Sequence, residues 1–274
     1  MNNTYLYFSQ NIHNINIGIS KSSPIINITG GDDVENLLYT FERVEKKYLL
    51  TKEQYRELNL KLKEYVKEDE YGKSTILTTY FDTENFNIAR HCESKPEYKE
   101  KLRLRSYGVP TKDTTVFLEI KKKFNGITYK RRIGMTLKEA ENYLFHNILP
   151  NKQDQIFKEI NYFKEFYNPV PKVTLSYERN AYYGITDSNL RITFDSNIRQ
   201  RQDDLSLSKG DKGTLLLDEG ICLMEIKALG AMPIWLTTML SELKIYPTSF
   251  SKYGKFFEEV VFNEGEEEKC LKVS

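Results

Sequence analysis

The chain has 274 residues, of which 39% are hydrophobic and 29% are charged, so a packed core can form beside a heavily charged surface. The 40 basic and 39 acidic residues leave a formal net charge of +1, which argues against a general nucleic-acid-binding protein, because such proteins usually carry a clear basic excess. The three cysteines follow no metal or disulfide pattern, and no apolar run approaches the length of a transmembrane helix. We therefore expect a reduced, cytoplasmic protein without a signal peptide or a membrane segment of its own.

Composition divides the chain into three predicted parts. Residues 1–38 are rich in Asn and Ile, with Lys21 as the single Lys or Arg, and we interpret them as an N-terminal extension of unknown role. Residues 39–260 carry regular patterns and form the predicted domain. Residues 261–274 form a predicted acidic tail in solvent, since residues 258–274 hold six Glu and two Lys. Positive charge is concentrated in residues 98–132, with eleven Lys or Arg and three Asp or Glu.

The first half of the domain has the pattern of one helix among several strands. Thr51, with Gln54 three residues later, has the spacing of a capping box and begins a predicted helix. Asn125-Gly126 is typical of a two-residue hairpin turn. The predicted strands are residues 41–50, 74–82, 98–108, 114–124 and 127–135.

The second half places helices between further strands. Thr136 and Glu139 repeat the capping-box spacing, a second helical stretch ends before Pro169, and a final predicted helix begins at Pro233. Residues 172–184, 190–201 and 221–229 are predicted strands. Many strands at short spacing with a few helices between them predict an antiparallel α+β fold, with the sheet curled or closed into a barrel.

The stretch "EKLRLRSYG" shows the feature that dominates this sequence. In a strand, successive side chains point to opposite faces, so Lys101, Arg103 and Arg105 share one face and Leu102 and Leu104 share the other. The same alternation of charged or polar residues recurs on other predicted strands, in Glu45/Lys47, Glu119/Lys121, Lys130/Arg132, Tyr177/Arg179, Arg191/Thr193/Asp195 and Glu225/Lys227.

Two interpretations of this alternation are open for any one strand. The charged face could simply be solvated, with the apolar side packed on helices. Repetition over so many strands favours a sheet that curls around an anion, with its apolar side outward. Arg and Lys suit phosphate oxygens, and the few carboxylates suit a divalent metal held beside them, Mn²⁺ or Mg²⁺. The sequence has no P-loop, GxSxG or HExxH motif, and its three histidines are scattered.

Eight short stretches also occur in a characteristic order: "FERVEKKYLL", "KLRLRSYG", "FLEIKKK", "YKRR", "SYERNAY", "LRITFD", "LMEIKALGAMP" and "SFSKYG". Over about residues 40–260 the chain resembles the VTC domain, the polyphosphate polymerase domain of the vacuolar transporter chaperone proteins, in the triphosphate tunnel (CYTH-like) superfamily. The resemblance implies an antiparallel β-barrel tunnel with flanking helices. It also implies a phosphotransferase that binds ATP with Mn²⁺ or Mg²⁺ and transfers the γ-phosphate to a growing inorganic polyphosphate chain.

The resemblance assigns roles to residues of this chain. The catalytic or phosphate-binding set it implies is Lys47, Arg103, Arg105, Lys121, Lys130, Arg132, Arg179, Arg191 and Lys252. Glu225, with Glu45 or Glu119, is the implied metal-binding set, and Lys227 and Tyr177 are expected to bind the cofactor. Two positions depart from the pattern. Arg43 replaces the first Glu of the superfamily's ExExK, and Ser249 replaces a lysine expected three residues before Lys252.

Three other functions remain open at this point. The same site could pass phosphate to water, as a tripolyphosphatase or nucleoside triphosphatase, or it could be a polyphosphate sensor without turnover. Nucleic-acid binding is less favoured, because single-strand binders interleave stacking aromatic residues with cations on the binding face. ATP and polyphosphate are the expected ligands. A membrane protein could be a partner, since family members carry or join membrane segments, and the oligomeric state is open.

Overall fold

The structure is a computed structural model that describes residues 43–125, 127–151 and 153–271. The predicted extension at residues 1–38, Gly126 of the predicted turn and the last three residues of the predicted tail lie outside the described residues. The strands are β1 (Arg43–Leu50), β2 (Val66–Glu68), β3 (Ser74–Asp82), β4 (Tyr98–Tyr107), β5 (Thr115–Phe124), β6 (Ile127–Thr136), β7 (Val170–Gly184), β8 (Arg191–Arg201), β9 (Thr214–Leu215) and β10 (Cys222–Leu229). The helices are α1 (Lys52–Leu62), α2 (Asn87–Glu93), α3 (Leu137–His146), α4 (Gln155–Tyr167), α5 (Ile234–Glu242) and α6 (Lys252–Leu271).

One antiparallel sheet organises these elements. Its main path runs β1-β10-β8-β7-β3-β4-β5-β6, while β2 pairs with β7 and β9 pairs with β8. The sheet is strongly curled. Five strands separate β5 from β1 along this path, yet Lys121 on β5 lies close enough to Glu45 and Lys47 on β1 for their charges to act on its pKa. The predicted α+β fold with a curled antiparallel sheet is therefore confirmed, as a half-barrel in which no pairing joins β1 to β6 within the described ranges.

The apolar side of the alternating strands faces the helices. Leu102, Leu104, Leu118 and Ile120 are buried in one cluster with residues of α3 and α4. Met224 and Ile226 of β10 and Phe194 of β8 are buried in a second cluster with α1 and α5. Because alternation fixes the opposite side, the charged residues of these strands line the concave face.

Local signals set several of the predicted boundaries. Thr51 and Thr136 each cap a helix as predicted, and both capping boxes form, with Gln54 and Glu139. Phe124 pairs with Ile127, which leaves the two-residue turn that the sequence predicted, and Asn125 has a φ of 47°. That left-handed conformation is one that Asn tolerates better than most residues.

Two helices differ from the sequence-based prediction. The short helix α2 was not predicted, and α5 is not the final helix, because α6 follows it and continues through Leu271. Residues 261–271 of the predicted acidic tail therefore have a helical backbone. The stability of α6 comes from tertiary packing, since Tyr253, Phe256 and Phe257 are buried against one end of the concave face. None of the helices in the described part of the chain has both the length and the apolar character needed to cross a membrane.

Candidate functional site

The concave face gathers the charged residues that the sequence singled out. They come from seven strands and from the first residue of α6. Most of their contacts fall into three groups, each centred on one carboxylate, of which Glu119 and Asp195 are buried and Glu225 is partly buried. The predicted site residues placed here are Glu45, Lys47, Arg103, Arg105, Glu119, Lys121, Lys130, Arg132, Tyr177, Arg179, Arg191, Glu225, Lys227 and Lys252.

Glu119 on β5 is the centre of the first group. Its side chain is 1% exposed and lies 2.7 Å from Arg103 Nε, 3.8 Å from Arg105 Nη1 and 2.8 Å from Lys130 Nζ. Burial by itself would raise the pKa of this carboxyl, but the charges of Arg103 and Arg105, with the contact to Lys130, lower it to about 2. Glu119 is therefore an anion that orients three cations from two neighbouring strands.

Asp195 on β8 is the centre of the second group. It accepts two hydrogen bonds from Arg179, at 2.6 and 2.7 Å, and one from Lys252 Nζ at 2.6 Å. Burial opposes its ionisation, yet the charges of Lys252 and Arg179 lower the pKa of Asp195 below its ordinary value. This carboxylate joins the C-terminal helix to the sheet through an ion pair inside the groove.

Glu225 on β10 is the centre of the third group. Its carboxylate lies 3.5 Å from Lys47 Nζ and 3.9 Å from Lys227 Nζ, and Lys227 also lies 3.9 Å from Glu45. Burial would raise the pKa of Glu225, whereas the charges of Lys252, Lys47 and Lys227 lower it to about 2. The second and third groups adjoin, because Lys252 influences both Asp195 and Glu225.

Two tyrosines lie among these cations, and Tyr177 connects the Glu119 group to the Asp195 group. The ring of Tyr177 lies under Lys252 Nζ, at 4.4 Å, and under Arg179, at 5.3 Å, and its hydroxyl accepts a hydrogen bond from Arg105. Tyr80 on β3 accepts a hydrogen bond of 3.2 Å from Arg103. Burial would raise the pKa of the Tyr80 phenol, but the charges of Arg103 and Arg105 lower it to about 8.

The remaining cations have different surroundings. Arg191 donates to the Tyr183 hydroxyl at 2.9 Å and lies 3.3 Å from Asp69, so it is held at the end of the groove far from α6. Arg132 lies over the Phe117 ring at 4.7 Å. Lys121 is accessible to solvent. Partial desolvation by the groove walls lowers the pKa of its amine, and the charges of Lys47 and Arg103 lower it further, while the charge of Glu45 opposes the shift.

The carboxylate and hydroxyl oxygens of the concave face are also candidate ligands for a divalent metal. In the described ranges, no three or more His, Cys, Asp or Glu side chains cluster as a metal site, and Glu119 is held by its three cations. Glu225 fits better. Thr193, its direct neighbour across the β8–β10 ladder, is buried, and its hydroxyl has no hydrogen-bond partner among the described residues. An ionised carboxylate beside an unpaired hydroxyl suits a Mg²⁺ or Mn²⁺ ion that takes its other ligands from phosphate and water.

Comparison with known proteins places this geometry in a family. Residues 42–260 match the sequence model of the VTC domain. The chain belongs to the VTC domain family. A comparison with curated protein sequences gives no match.

Comparison with solved structures also gives matches to this VTC domain, and the first one described here shares its fold. One is a candidate adenylyl cyclase from Hippeastrum, described as having a dominant triphosphatase activity, with a TM-score of 0.50 and 14% identity over 80% of this chain and 96% of that one. Another is a candidate adenylate cyclase from Bacillus halodurans, with a TM-score of 0.49 and 14% identity over 76% of this chain and 93% of that one. Family and fold together support a polyphosphate-related enzyme of the triphosphate tunnel type.

Sequence reasoning did not assign three residues of this VTC-domain site. Asp195 and Thr193 lay in a recognised alternating stretch, but nothing local indicated that Arg179 and Lys252 would share Asp195 as their partner. Tyr80 alternates with Thr78 on β3, a neutral pattern that resembles any half-buried strand. Only the pairing of β3 with β4, which sets Tyr80 opposite Arg103, reveals its place.

Replacement of Glu119 should change how stability depends on pH. A carboxyl with a lowered pKa stabilises the folded protein above its ordinary pKa of 4.5 and loses that contribution as the pH falls toward its folded value of about 2. We expect Glu119→Gln to lower the free energy of unfolding by about 3 kcal/mol at neutral pH. The difference from the wild type should shrink between pH 4.5 and pH 2.

Urea unfolding at a series of pH values measures this effect. Glu159→Gln is the matched control, because Glu159 pairs with Lys122 and Arg131 on the outer surface, and it should leave the acid-dependent loss in place. Equal losses of stability on acidification in the wild type and in Glu119→Gln would contradict the assignment.

Proposed function

We propose that this VTC domain transfers the γ-phosphate of ATP to the end of a growing inorganic polyphosphate chain in its basic groove, in the cytoplasm. The observation that carries the proposal is the set of cations on one concave face, several of which are held in fixed orientations by the buried carboxylates Glu119 and Asp195. Ten of the fourteen predicted site residues on that face are cations and three are carboxylates, and Asp195 adds a fourth carboxylate. Such a surface attracts a polyanion and rejects a neutral ligand.

The geometry suits the binding of a triphosphate. Arg103, Arg105 and Arg179 each have a partner that fixes the plane of the guanidinium, so their remaining N–H groups can meet phosphate oxygens without reorganisation. Lys121 and Arg191 extend this surface on either side. We assign these five residues to the triphosphate and Lys252 to the deeper end of the groove, beside α6.

The reaction needs positioning and charge stabilisation more than proton transfer. Phosphoryl transfer passes through a loose transition state in which charge spreads over the equatorial oxygens, and fixed cations stabilise that charge. The attacking group is the already ionised end of a phosphate chain, so no general base is required. Mg²⁺ or Mn²⁺, held by Glu225 with Glu45 or the Thr193 hydroxyl, would neutralise part of the phosphate charge when bound.

The experiment that tests the function follows purified protein with ATP and Mn²⁺, measuring ADP and free phosphate together and separating the products on a polyphosphate gel. ADP formed with little free phosphate, and a ladder of products, is the expected result. Equal amounts of ADP and phosphate without a ladder would mean a hydrolase, the activity described for the Hippeastrum protein of this fold. ATP binding without ADP would mean a sensor.

Two adjacent lysines provide a matched test of the groove. Lys121 points into the concave face, whereas Lys122 points outward and lies 3.4 Å from Glu159. We expect Lys121→Ala to lower the rate of ADP formation at least tenfold, because one cation of the proposed triphosphate site is lost, a change equivalent to about 1.4 kcal/mol or more. Lys122→Ala should stay close to the wild-type rate. Similar rates for the two variants would rule out the proposed role of Lys121.

The phenol of Tyr80 should make ATP binding sensitive to alkaline pH. Above its pKa of about 8, Tyr80 is an anion beside Arg103, and it then competes with phosphate for the same cations. Titration calorimetry with ATP and Mg²⁺ should show affinity falling several-fold between pH 7 and pH 9. Tyr80→Phe should abolish that fall, while Tyr246→Phe, a change at an exposed tyrosine, should keep it. A fall of the same size in Tyr80→Phe would exclude Tyr80 as its source.

A further inference from the structure

Four lysines outside the three carboxylate groups face one another on the concave side of β4 and β5. Lys99 lies directly opposite Lys123, and Lys101 lies directly opposite Lys121. We call Lys99, Lys101, Lys121 and Lys123 the lysine ladder. Only Lys121 belongs to the triphosphate site proposed above.

Repulsion within the lysine ladder destabilises the folded protein. Like charges directly opposite each other on antiparallel strands destabilise the pair, and none of the four lysines has an ion pair with a described residue. Lys101 instead lies 5.5 Å from the centre of the Tyr253 ring on α6. The outward-facing residue between two of them, Lys122, does have an acidic partner, Glu159. Among the three consecutive lysines of β5, the two without an ion pair are thus the two on the inner face.

The ladder continues the line of the proposed triphosphate site. Along β4, Lys101 and Lys99 follow Arg105 and Arg103 on the same face, and at the rise of a strand Arg105 and Lys99 are separated by roughly 20 Å. Lys101 lies beside Tyr253 of α6, the helix that fills part of one end of the groove. The cationic surface therefore extends beyond what one triphosphate needs, toward the end at α6.

The lysine ladder differs from the triphosphate site in the type of residue it contains. The arginines of that site are fixed by carboxylates or hydroxyls, whereas the ladder consists of lysines on flexible stems, which act as point charges without a required orientation. Such a surface can hold a chain in many registers and let it slide. Bases would need stacking rings among the cations, and the four ladder positions are all lysine. The ligand chemistry that fits is a long linear polyphosphate.

We infer that the lysine ladder binds the phosphate chain beyond the nucleotide, and that Lys99 and Lys123 retain the growing product during successive transfers. This inference rests on the proposed function, since it takes the acceptor and product to be inorganic polyphosphate. It adds residues to the site that the family resemblance does not include. It also gives the protein a binding surface that the hydrolysis of a short triphosphate would not need.

The test uses the double variant Lys99→Ala/Lys123→Ala in the full chain, because neither residue belongs to the proposed triphosphate site. Binding of long-chain polyphosphate, inorganic tripolyphosphate and ATP is measured separately, at several salt concentrations. We expect the affinity for long-chain polyphosphate to fall about tenfold, with a weaker salt dependence because fewer phosphates are neutralised. Affinities for tripolyphosphate and ATP should stay unchanged. In the polymerase assay, the products should be shorter.

Controls separate binding from folding. Lys122→Ala/Arg131→Ala removes two outward cations from β5 and the neighbouring β6 and should leave polyphosphate affinity unchanged. Lys99→Arg/Lys123→Arg should keep the affinity of the wild type. Since removal of a like-charge pair relieves repulsion, the alanine variant should melt at the wild-type temperature or above it. A lower melting temperature would indicate a structural role and would overturn the inference.

Other outcomes are equally decisive. Unchanged polyphosphate affinity, or equal losses for polyphosphate and ATP, would overturn the inference. A matching loss of affinity for single-stranded RNA, with polyphosphate unaffected, would mean that the ligand is a nucleic acid. Failure of the polymerase assay alone would reject the proposed function. The affinities of the wild type and the double variant for long-chain polyphosphate would still test whether the lysine ladder binds it.

Discussion

The structure depends on a balance between many cations that face one another and three carboxylates, two buried and one partly buried, that keep them in place. Curling the sheet brings Arg103, Arg105, Lys130, Arg179 and Lys252 together, which would be strongly unfavourable if they were unpaired. Glu119 pairs with the first three of these cations and Asp195 with the last two, while Glu225 pairs with two further cations, Lys47 and Lys227. The same contacts stabilise the fold and fix the directions of the donors, so the stability of the groove and its capacity to bind an anion have one physical origin.

The apolar side of the strands makes that arrangement possible. Leu102 and Leu104 alternate with the arginines of β4 and are buried under α3 and α4, so the outward packing fixes the register of the strand. A shift by one residue would bury the cations in the outer core and expose the leucines to the groove. The hydrophobic effect therefore sets the direction of the charges, and the carboxylates then refine their geometry.

Helix α6 shows how a distant segment completes the site. Its first residue, Lys252, pairs with Asp195, and the Tyr253 hydroxyl donates to Asp82, while Phe256 and Phe257 pack among the residues of β3 and β7. The chain thus returns to the groove after passing around the outside of the sheet. The first two turns of this helix supply both a cation for the site and apolar packing that fills part of one end of the groove.

By itself the sequence determined which residues share a face, because the two-residue period of a strand is a local property that Lys101, Arg103 and Arg105 display without any partner. It also determined the helix starts at Thr51 and Thr136, since capping depends on residues three positions apart. Only the tertiary structure decided which carboxylate serves which cation. Lys252 and Asp195 are 57 positions apart in the chain, and Tyr80 meets Arg103 only through the pairing of β3 with β4. Such contacts depend on strand order and register, which arise from the packing of the whole sheet rather than from any local pattern.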